Sequence, residues 1–402
     1  MSVPAERRGR RPPPPRPPVQ LRDIWHSASF RAVALQALVI VVVIGGAAFM
    51  IDNAMVALAR RGISTGFGFL TREAGFPIGE GLIPFNSEDT YVRAYAAAIL
   101  NTLKVSAIAI ILATLIGVVI GIARLSTNWI LARLAAAYVE LFRNTPQLVQ
   151  IVFWYTVVTL LPHPRQALNP FGDVFLSKRG LALPWPEAHP AWWWMFAALA
   201  AALIVAAWLA RRAARQRREG KTARITGSWL AALVVGAPVA AWWIGGAPTA
   251  IGVPAMSAFN IRGGATLSPE FLALLLGLSL YIAAFIAEIV RAGIQSVPRG
   301  QIEAARAIGL SRVHLYLKVV LPQALRVMVP PAAAQYVSTI KNSSLGVAIG
   351  YPELFNVSNT IITLSGNTIE AIVIMMAVYL TISFVIAALM NWYNHAMRIR
   401  ER

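Results

Sequence analysis

The sequence contains no cysteine and little charge, and both shortages narrow the class of protein. None of the 402 residues is cysteine, which excludes disulfides and cysteine-ligated metals and leaves the cellular compartment unconstrained. Charged residues make up 13% of the chain and hydrophobic residues 57%, whereas soluble domains average about 25% charged and about 45–50% apolar residues. The mean hydropathy is +0.61. This composition is typical of a polytopic membrane protein.

Nucleotide-binding and catalytic motifs are also missing. Gly220, Lys221 and Thr222 match the last three residues of a P-loop, but Arg215 stands where the first glycine of that motif is required. The sequence has neither an HExxH nor a GxSxG motif, and its five histidines are scattered. We therefore expect no P-loop ATP site, no metal site and no set of catalytic residues.

The positive charge is concentrated beside apolar runs. The net charge is +19, with arginines crowded before the first apolar run and again between Arg211 and Arg224. Basic residues that flank apolar spans mark cytoplasmic loops under the positive-inside rule. These stretches lack the interleaved aromatic residues of a nucleic-acid surface, so we expect a membrane protein that binds no nucleic acid.

Eight runs are long and apolar enough to cross a membrane as helices. They are Ala32–Met50, Tyr95–Ala123, Tyr138–Leu161, Ala191–Leu209, Gly227–Gly245, Ser268–Val290, the more polar Arg326–Gly350, and Thr368–Met390. Only helices satisfy their own backbone hydrogen bonds in lipid, and no strand-type alternation is present, so the predicted fold is an all-α integral membrane protein. An even number of spans, with arginines near both ends of the chain, predicts that both termini are cytoplasmic.

The spacing of these runs predicts the organisation of the chain. Residues 1–31 form a disordered, basic, Pro-rich cytoplasmic tail, 32–50 a first transmembrane helix, and 51–90 an acidic periplasmic loop. Residues 91–393 form the main membrane domain, with irregular Pro-rich and Gly-rich outer loops, and 394–402 a cytoplasmic tail. A signal peptide is the alternative for the first 50 residues, but the apolar run exceeds the usual h-region of about 7–15 residues.

A charged segment, Gly300–Pro322, lies between two apolar runs, and its pattern predicts two short helices joined by a tight turn. Gly309 stands where a helix stop needs positive φ, Ser311 is placed to cap the second helix, and Pro322 marks its exit. The predicted apolar face of the first helix consists of Ile302, Ala305 and Ile308, opposite Glu303 and Arg306. That of the second consists of Val313, Tyr316, Leu317 and Val320.

The same segment resembles the EAA loop of ABC-importer permease subunits. The matching residues are Glu303, Ala304, Ala305, Gly309, Leu321 and Pro322, with Val319 in place of an isoleucine. The resemblance implies that this loop docks onto a separate ATPase subunit and passes the motion of that subunit to the membrane helices. Small side chains at Ala304 and Ala305 would allow close approach. An amphipathic interfacial linker is the alternative.

Two further stretches resemble the polar-amino-acid permeases of the His/Glu/Gln/Arg permease family. One is YVELFRNTPQLVQ, which contains Arg143, Asn144, Thr145 and Pro146; the other is YIAAFIAEIVRAGIQSVPRGQIEAA, Tyr281 to Ala305. The chain departs from compact members by an insertion at about 162–266 and by its first span, as in the long permease subunits of general L-amino-acid ABC transporters. The implied fold is a type I importer permease core with an extra N-terminal span and an inserted helical hairpin.

This resemblance implies a non-enzymatic subunit of an amino-acid importer in the bacterial inner membrane. The chain would bind no cofactor, because ATP would be used by a partner. The implied partners are a cytoplasmic ABC ATPase dimer, a second permease subunit with which long chains usually form a heterodimer, and a periplasmic amino-acid-binding protein. An ion-coupled secondary carrier is the first alternative, although clear paired halves and mid-membrane acids are missing. A membrane enzyme or scaffold is the second.

Polar residues near the cytoplasmic ends of the spans permit two interpretations. Glu288 has Arg291 one turn further on, so it forms a local ion pair or serves as a gate. Arg143, beside Asn144 and Thr145, snorkels to the interface or contacts the substrate.

Four consecutive polar residues interrupt a more deeply placed apolar run. They are Lys341, Asn342, Ser343 and Ser344. We expect their helix either to line the translocation path or to use them for packing and hydrogen bonding between helices. Lys341 is placed to attract a substrate carboxylate or to pair with an acid such as Glu353 or Glu370.

Overall fold

The computed structural model describes residues 28–60, 66–218, 227–257 and 260–396. It divides into two units, Met1–Phe67 and Gly68–Arg402. In the first unit, helix α1 (Ala28–Arg60) extends the predicted span at both ends, so residues 51–60 are helical rather than part of a loop. The predicted tails lie mostly outside the described residues, as does the end of the basic stretch, residues 219–226.

The second unit is a helical assembly with a few short strands. Its helices are α2 (Tyr91–Ala123), α3 (Trp129–Asn144), α4 (Gln147–Thr159), α5 (Pro190–Arg218), α6 (Gly227–Ile244), α7 (Pro269–Gln295), α8 (Arg299–Ala307), α9 (Arg312–Leu315), α10 (Leu321–Asn342), α11 (Leu354–Ser365) and α12 (Thr368–Ala396). Helix α11 has no counterpart among the predicted elements.

Six helices in the described part of the chain are long and apolar enough to cross a membrane: α1, α2, α5, α6, α7 and α12. The prediction of about eight such spans is corrected at two places. The run Tyr138–Leu161 is not one helix, and α4 within it has only 13 residues. The run Arg326–Gly350 corresponds to α10, which has 22 residues. Its composition is too polar for it to be counted among the membrane-spanning helices.

The break between α3 and α4 has a local cause. Thr145 has an extended backbone and Pro146 has no N–H to donate into a continuing helix. Gln150 then takes over the exposed carbonyls, because its Nε2 donates to Phe142 O at 2.9 Å and to Thr145 O at 3.1 Å. The segment Arg143–Pro146 is therefore a helix break held by a side chain.

Pro322 does not end the helix that begins after Ser311. Helix α9 runs on through a π-helical turn, Tyr316–Val320, into α10, whose first turn contains Pro322. A π turn accommodates one additional residue in a helix, and it lies directly before the proline that cannot donate a backbone hydrogen bond. The predicted exit is thus a continuation of the helix.

The inserted region contains strands where irregular loops were predicted. They are β1 (Phe175–Ser177), β2 (Gly180–Leu183), β3 (Trp185–Pro186), β4 (Ile251–Gly252), β5 (Ala255–Met256), β6 (Ile261–Arg262) and β7 (Ala265–Leu267). The largest sheet has the order β1-β2-β7 and is antiparallel, with Leu183 opposite Ala265. Strands of two to four residues are too short to show a period of two in the sequence.

Helix α7 is the centre of the core, packed against α2, α4 and α10. Close approach of α2 depends on two glycines. A Cβ added to Gly117 would lie 2.6 Å from Ile286 Cβ, and one added to Gly121 would lie 2.7 Å from Ala287 O. The inserted helices α5 and α6 pack extensively only on each other within the described residues.

Candidate functional site

The turn between α8 and α9 has the geometry of a Schellman motif. Gly309 has φ +79°, its N–H donates to Arg306 O at 2.9 Å, and Leu310 N–H donates to Ala305 O at 3.2 Å. Ser311 caps α9 by accepting from the backbone N–H of His314. The predicted roles of Gly309 and Ser311 in a tight turn between two helices are confirmed.

The inner side of this segment is part of the main hydrophobic core. Ala305, Leu315 and Val320 are buried in the cluster that contains Ala324 and Met328 of α10. Leu315 and Val320 share one face at a spacing of five residues because the π turn lies between them. The segment is therefore fixed to α10 along its inner side.

Three predicted inward-facing residues of the second helix point to solvent instead. Val313, Tyr316 and Leu317 are exposed, because the face buried by α10 is set by Leu315 and Val320. In α8 the prediction holds for Ala305, but Ile308 is 77% exposed since the Schellman turn follows it. We define the docking face as the exposed residues Glu303, Arg306, Ile308, Val313, Tyr316 and Leu317.

The EAA-type residues are divided between the two sides of the segment. Ala305 is 4% exposed, whereas Glu303, Ala304 and Gly309 are exposed. Leu321 is 40% exposed and Pro322 half-buried. A partner protein would therefore reach Ala304 but not Ala305.

Glu288 bridges two helices at their adjoining ends. Its carboxylate accepts from Arg291 Nε at 3.2 Å and is also paired with Arg124, which follows the end of α2. The local ion pair with Arg291 is confirmed, and Arg124 is a partner that sequence reasoning missed. Glu288 thus links the end of α2 to α7, and both oxygens of its carboxylate are paired with arginine side chains.

Arg143 lies at the helix break and contacts a side chain of α7. Its guanidinium lies 5.1 Å from the centre of the Phe285 ring on α7, which is a cation–π distance. Asn144 is exposed and Thr145 bonds back to the carbonyl of Leu141.

The four polar residues at the end of α10 point in different directions. Asn342 Nδ2 donates to Gln147 Oε1 of α4 at 2.7 Å. Ser343 is fully buried and donates to Ile340 O at 2.7 Å. Asn342 and Ser343 therefore serve contacts within the protein.

Lys341 and Ser344 instead border an open groove of about 410 Å³. We call it the Lys341 groove; its lining residues are Lys341, Ser344, Phe355, Met375, Met376, Tyr379, Leu380 and Ser383. Among the described residues no carboxylate lies within 4 Å of Lys341 Nζ, so neither Glu353 nor Glu370 pairs with it. The Glu353 carboxylate is occupied by the N–H groups of Phe355 and Asn356 and by Tyr379 Oη.

A half-buried lysine on α2 was missed in the sequence. Lys104 lies within α2, and its Nζ is 2.6 Å from Oε1 of Glu80, which belongs to the loop before α2. Ser268, the residue that caps α7, donates to the other carboxylate oxygen of Glu80. Lys104 also lies 4.5 Å from the Phe271 ring centre. A lone lysine in an otherwise apolar span is the signal that could have revealed this cluster.

Asn101 completes the connection between the loop before α2 and the core. Its Nδ2 donates to Glu80 O at 2.7 Å and to Pro352 O at 3.0 Å. The loop before α2 is thus attached to α2, to α7 and to the segment before α11. None of the described residues forms a cluster of acids and histidines suited to a metal ion.

Comparison with known proteins identifies the family. Residues 213–399 match the binding-protein-dependent transport system inner membrane component. The chain is 45% identical over 376 residues to YhdX of Escherichia coli K12, which is named as an amino-acid ABC transporter permease, with 92% of this chain and 95% of that protein covered. This chain belongs to the amino-acid ABC transporter permeases. It is therefore the permease subunit of an ABC importer and not an ion-coupled carrier.

Two further permeases align over nearly their whole lengths. The general L-amino acid transport system permease AapQ of Rhizobium johnstonii is 43% identical over 384 residues, with 95% of this chain and 96% of that protein covered. The glutamate/glutamine/aspartate/asparagine transport system permease BztB of Rhodobacter capsulatus is 36% identical over 423 residues, with 97% and 99% covered. Because these alignments cover 95% and 97% of this chain, they include most of its insertion. The resemblance to long permease subunits is therefore confirmed.

Proposed function

We propose that this permease moves amino acids across the bacterial inner membrane, and that work enters it through the segment Gly300–Pro322 from a separate ATPase subunit. The observation that carries the proposal is the two-sided structure of this segment. Its outer side is an exposed apolar and charged docking face, while its inner side is buried against α7 and α10. An exposed apolar patch with charged neighbours is typical of a protein interaction site.

The continuity of α9 with α10 supports transmission of movement. The 31 residues from Arg312 to Asn342 form one helical path, which at 1.5 Å per residue is about 45 Å long. A displacement of the docking face would also move the buried side of the same segment, which packs against α10. The end of that path carries Lys341, so the proposed work input and the Lys341 groove lie on one element.

The proposed partners follow from this role. They are a cytoplasmic ATPase dimer that uses the ATP, a second permease subunit in a heterodimer, and a periplasmic amino-acid-binding protein. The relatives named for amino-acid transport support the substrate class. Arginines beside the first span and after the last support a cytoplasmic position for both termini. The permease itself is proposed to bind no cofactor.

A charge introduced on the docking face tests this proposal. Ile308→Asp places a carboxylate on a side chain that is 77% exposed, so the permease should still insert and fold. We expect loss of ATPase co-purification and of amino-acid uptake. The matched control is Leu168→Asp, which is 48% exposed in the insertion and should retain both. Normal uptake by Ile308→Asp would refute the docking assignment.

We further propose that the Lys341 groove borders the translocation path and that Lys341 attracts the substrate carboxylate. The groove is mainly apolar, and its lysine has no acidic partner within 4 Å among the described residues. An ammonium group beside an apolar groove attracts an incoming anion. Asn342 and Ser343 are assigned to helix packing instead, because both are engaged inside the protein.

Amino-acid amides provide a direct test of the role of Lys341. The wild-type complex should prefer a free amino acid over its carboxamide, whereas Lys341→Ala should transport poorly and lose this preference, and Lys341→Arg should retain part of it. All three complexes should assemble, as measured by co-purification. Unchanged discrimination in Lys341→Ala would exclude the assignment without affecting the docking proposal.

A further inference from the structure

The inserted hairpin carries a large recess at the start of α5. Its volume is about 940 Å³. Its lining residues are Trp185, Pro186, Glu187, Ala188, His189, Pro190, Trp192, Trp193, Met195, Phe196, Gly252, Gly263 and Gly264. We call it the indole recess. It belongs to neither the docking face nor the Lys341 groove.

The walls of the recess are fixed by backbone hydrogen bonds. Trp185 pairs with Gly252 in the β3–β4 ladder, and Glu187 N–H donates to Ala250 O at 3.0 Å. Trp192 Nε1 donates to the carbonyl of Glu187 at 3.0 Å. The segment formed by β3 and Glu187 is therefore held on one side by β4 and on the other by α5.

Glycine keeps the space beside Glu187 open. A Cβ added to Gly252 would lie 3.7 Å from Glu187 Cγ and 3.6 Å from Trp185 O. Gly264 has φ +62°, and a Cβ there would lie 2.3 Å from Leu183 O. A larger side chain at either position would narrow the recess or displace its wall.

The chemistry of the lining favours a positively charged group. Three indole rings and one carboxylate line the recess, and it contains no lysine or arginine. The faces of tryptophan rings attract ammonium groups. The Glu187 carboxylate makes no ion pair within the described part of the permease. An anionic head group without an amine would find no countercharge here.

The surroundings of the recess are typical of a position at the level of lipid head groups. It surrounds the first turns of α5, whose apolar span is Pro190–Ala213. Trp242 and Trp243 lie at the adjoining end of α6, and a Cβ added to Gly245 would lie 2.6 Å from Ala191 Cβ. Tryptophans gathered at one end of two spans mark the membrane–water interface.

On the side formed by α5, the wall of the recess continues along an apolar part of the helix. Met195 and Phe196 stand one turn beyond Trp192 on the same side of α5. They offer an apolar surface next to the polar rim formed by Glu187 and His189. A molecule that fits both parts carries an ammonium group and an acyl chain.

We propose that the indole recess binds an aminophospholipid of the outer leaflet, with its ammonium group among the indole rings and Glu187. The first carbon atoms of the acyl chains would contact Met195 and Phe196. This site is independent of the translocation path, and it assigns the inserted hairpin a lipid-binding role.

Native mass spectrometry of the full-length permease can test this site. The probes are phosphatidylethanolamine, phosphatidylglycerol with the same acyl chains, and free phosphoethanolamine. We expect the aminophospholipid to be retained about tenfold better than the anionic lipid, with no retention of the free head group. Equal retention of the two lipids, or a preference for phosphatidylglycerol, would overturn the proposal, and binding of free phosphoethanolamine would overturn its lipid component.

Two substitutions locate the binding. Glu187→Gln should reduce phosphatidylethanolamine retention at least about fivefold without changing the melting temperature, because the side chain is exposed. Trp194→Ala is the control, since Trp194 is exposed on α5 but is not among the lining residues. Unchanged retention in Glu187→Gln, or an equal loss in Trp194→Ala, would contradict the assignment.

Discussion

Helix α7 and the hairpin α5–α6 are all apolar enough to cross a membrane, yet they meet very different surroundings. In the most apolar stretch of α7, 67% of residues are buried inside the protein. The corresponding values for α5 and α6 are 11% and 6%. Hydropathy therefore identifies membrane spans but does not distinguish those that face protein from those that face lipid or another subunit.

Small residues account for much of this difference. Gly117 and Gly121 are four residues apart on α2, a spacing that allows two membrane helices to approach closely, and both meet α7. In contrast, a Cβ added to Gly236 of α6 would have no atom within 4 Å. The position of a glycine relative to its neighbours, rather than its presence, separates the core from the hairpin.

The same substitution in both regions should give opposite results. Gly117→Ala forces a methyl group within 2.8 Å of the Ala283 carbonyl oxygen, and we expect a loss of about 2 kcal/mol from overpacking. Gly236→Ala should be neutral or stabilise α6 by up to about 1 kcal/mol. Thermal unfolding of both variants in detergent measures the effect. If the two variants had equal melting temperatures, the proposed difference in packing between the core and the hairpin would be wrong.

The Glu80–Lys104 pair should stabilise the second unit by holding the loop before α2 against that helix. Glu80→Gln leaves a largely buried ammonium group without its countercharge, and we expect a loss of about 1–3 kcal/mol. Adding Lys104→Met should recover part of it. Asp89→Asn, in the exposed pair with Arg93, is the control and should cost less than about 1 kcal/mol. If the Glu80 and Asp89 variants melt alike, the buried cluster contributes no special stability.

Removal of the hairpin should have the smallest effect on the core. Leu183 and Ala265 are opposite each other in the β2–β7 pair, so an Asn-Gly turn replacing residues 184–264 would join the two strands directly. We expect a melting temperature close to that of the intact permease and unchanged ATPase co-purification, together with loss of the aminophospholipid preference. Aggregation of the shortened chain would show that the hairpin supports the core.

The sequence predicted the features that rest on composition and local rules. These include most of the spans, the stop at Gly309 and the cap at Ser311. It failed where contacts distant in the chain decide the result. The exposure of Val313, Tyr316 and Leu317 depends on how α10 is seated, and the strands of the insertion pair segments separated by α5 and α6.

The candidate site was predictable only in part. The EAA-type spacing identified the segment Gly300–Pro322, but the burial pattern of that segment depends on the packing of Ala305 against the core. The four polar residues at the end of α10 appeared equivalent in the sequence, whereas helix geometry directs Asn342 and Ser343 inward and Lys341 towards the groove.

Cysteine cross-linking provides the most direct test of the central claim that the docking face receives a separate ATPase. The permease has no cysteine of its own, so Ile308→Cys introduces a single reactive site, and Leu168→Cys is the matched control in the insertion. In membranes that contain the assembled transporter, Ile308→Cys should give a cross-linked product containing the ATPase subunit, and Leu168→Cys should not. Absence of that product, or its equal formation from both variants, would contradict the account.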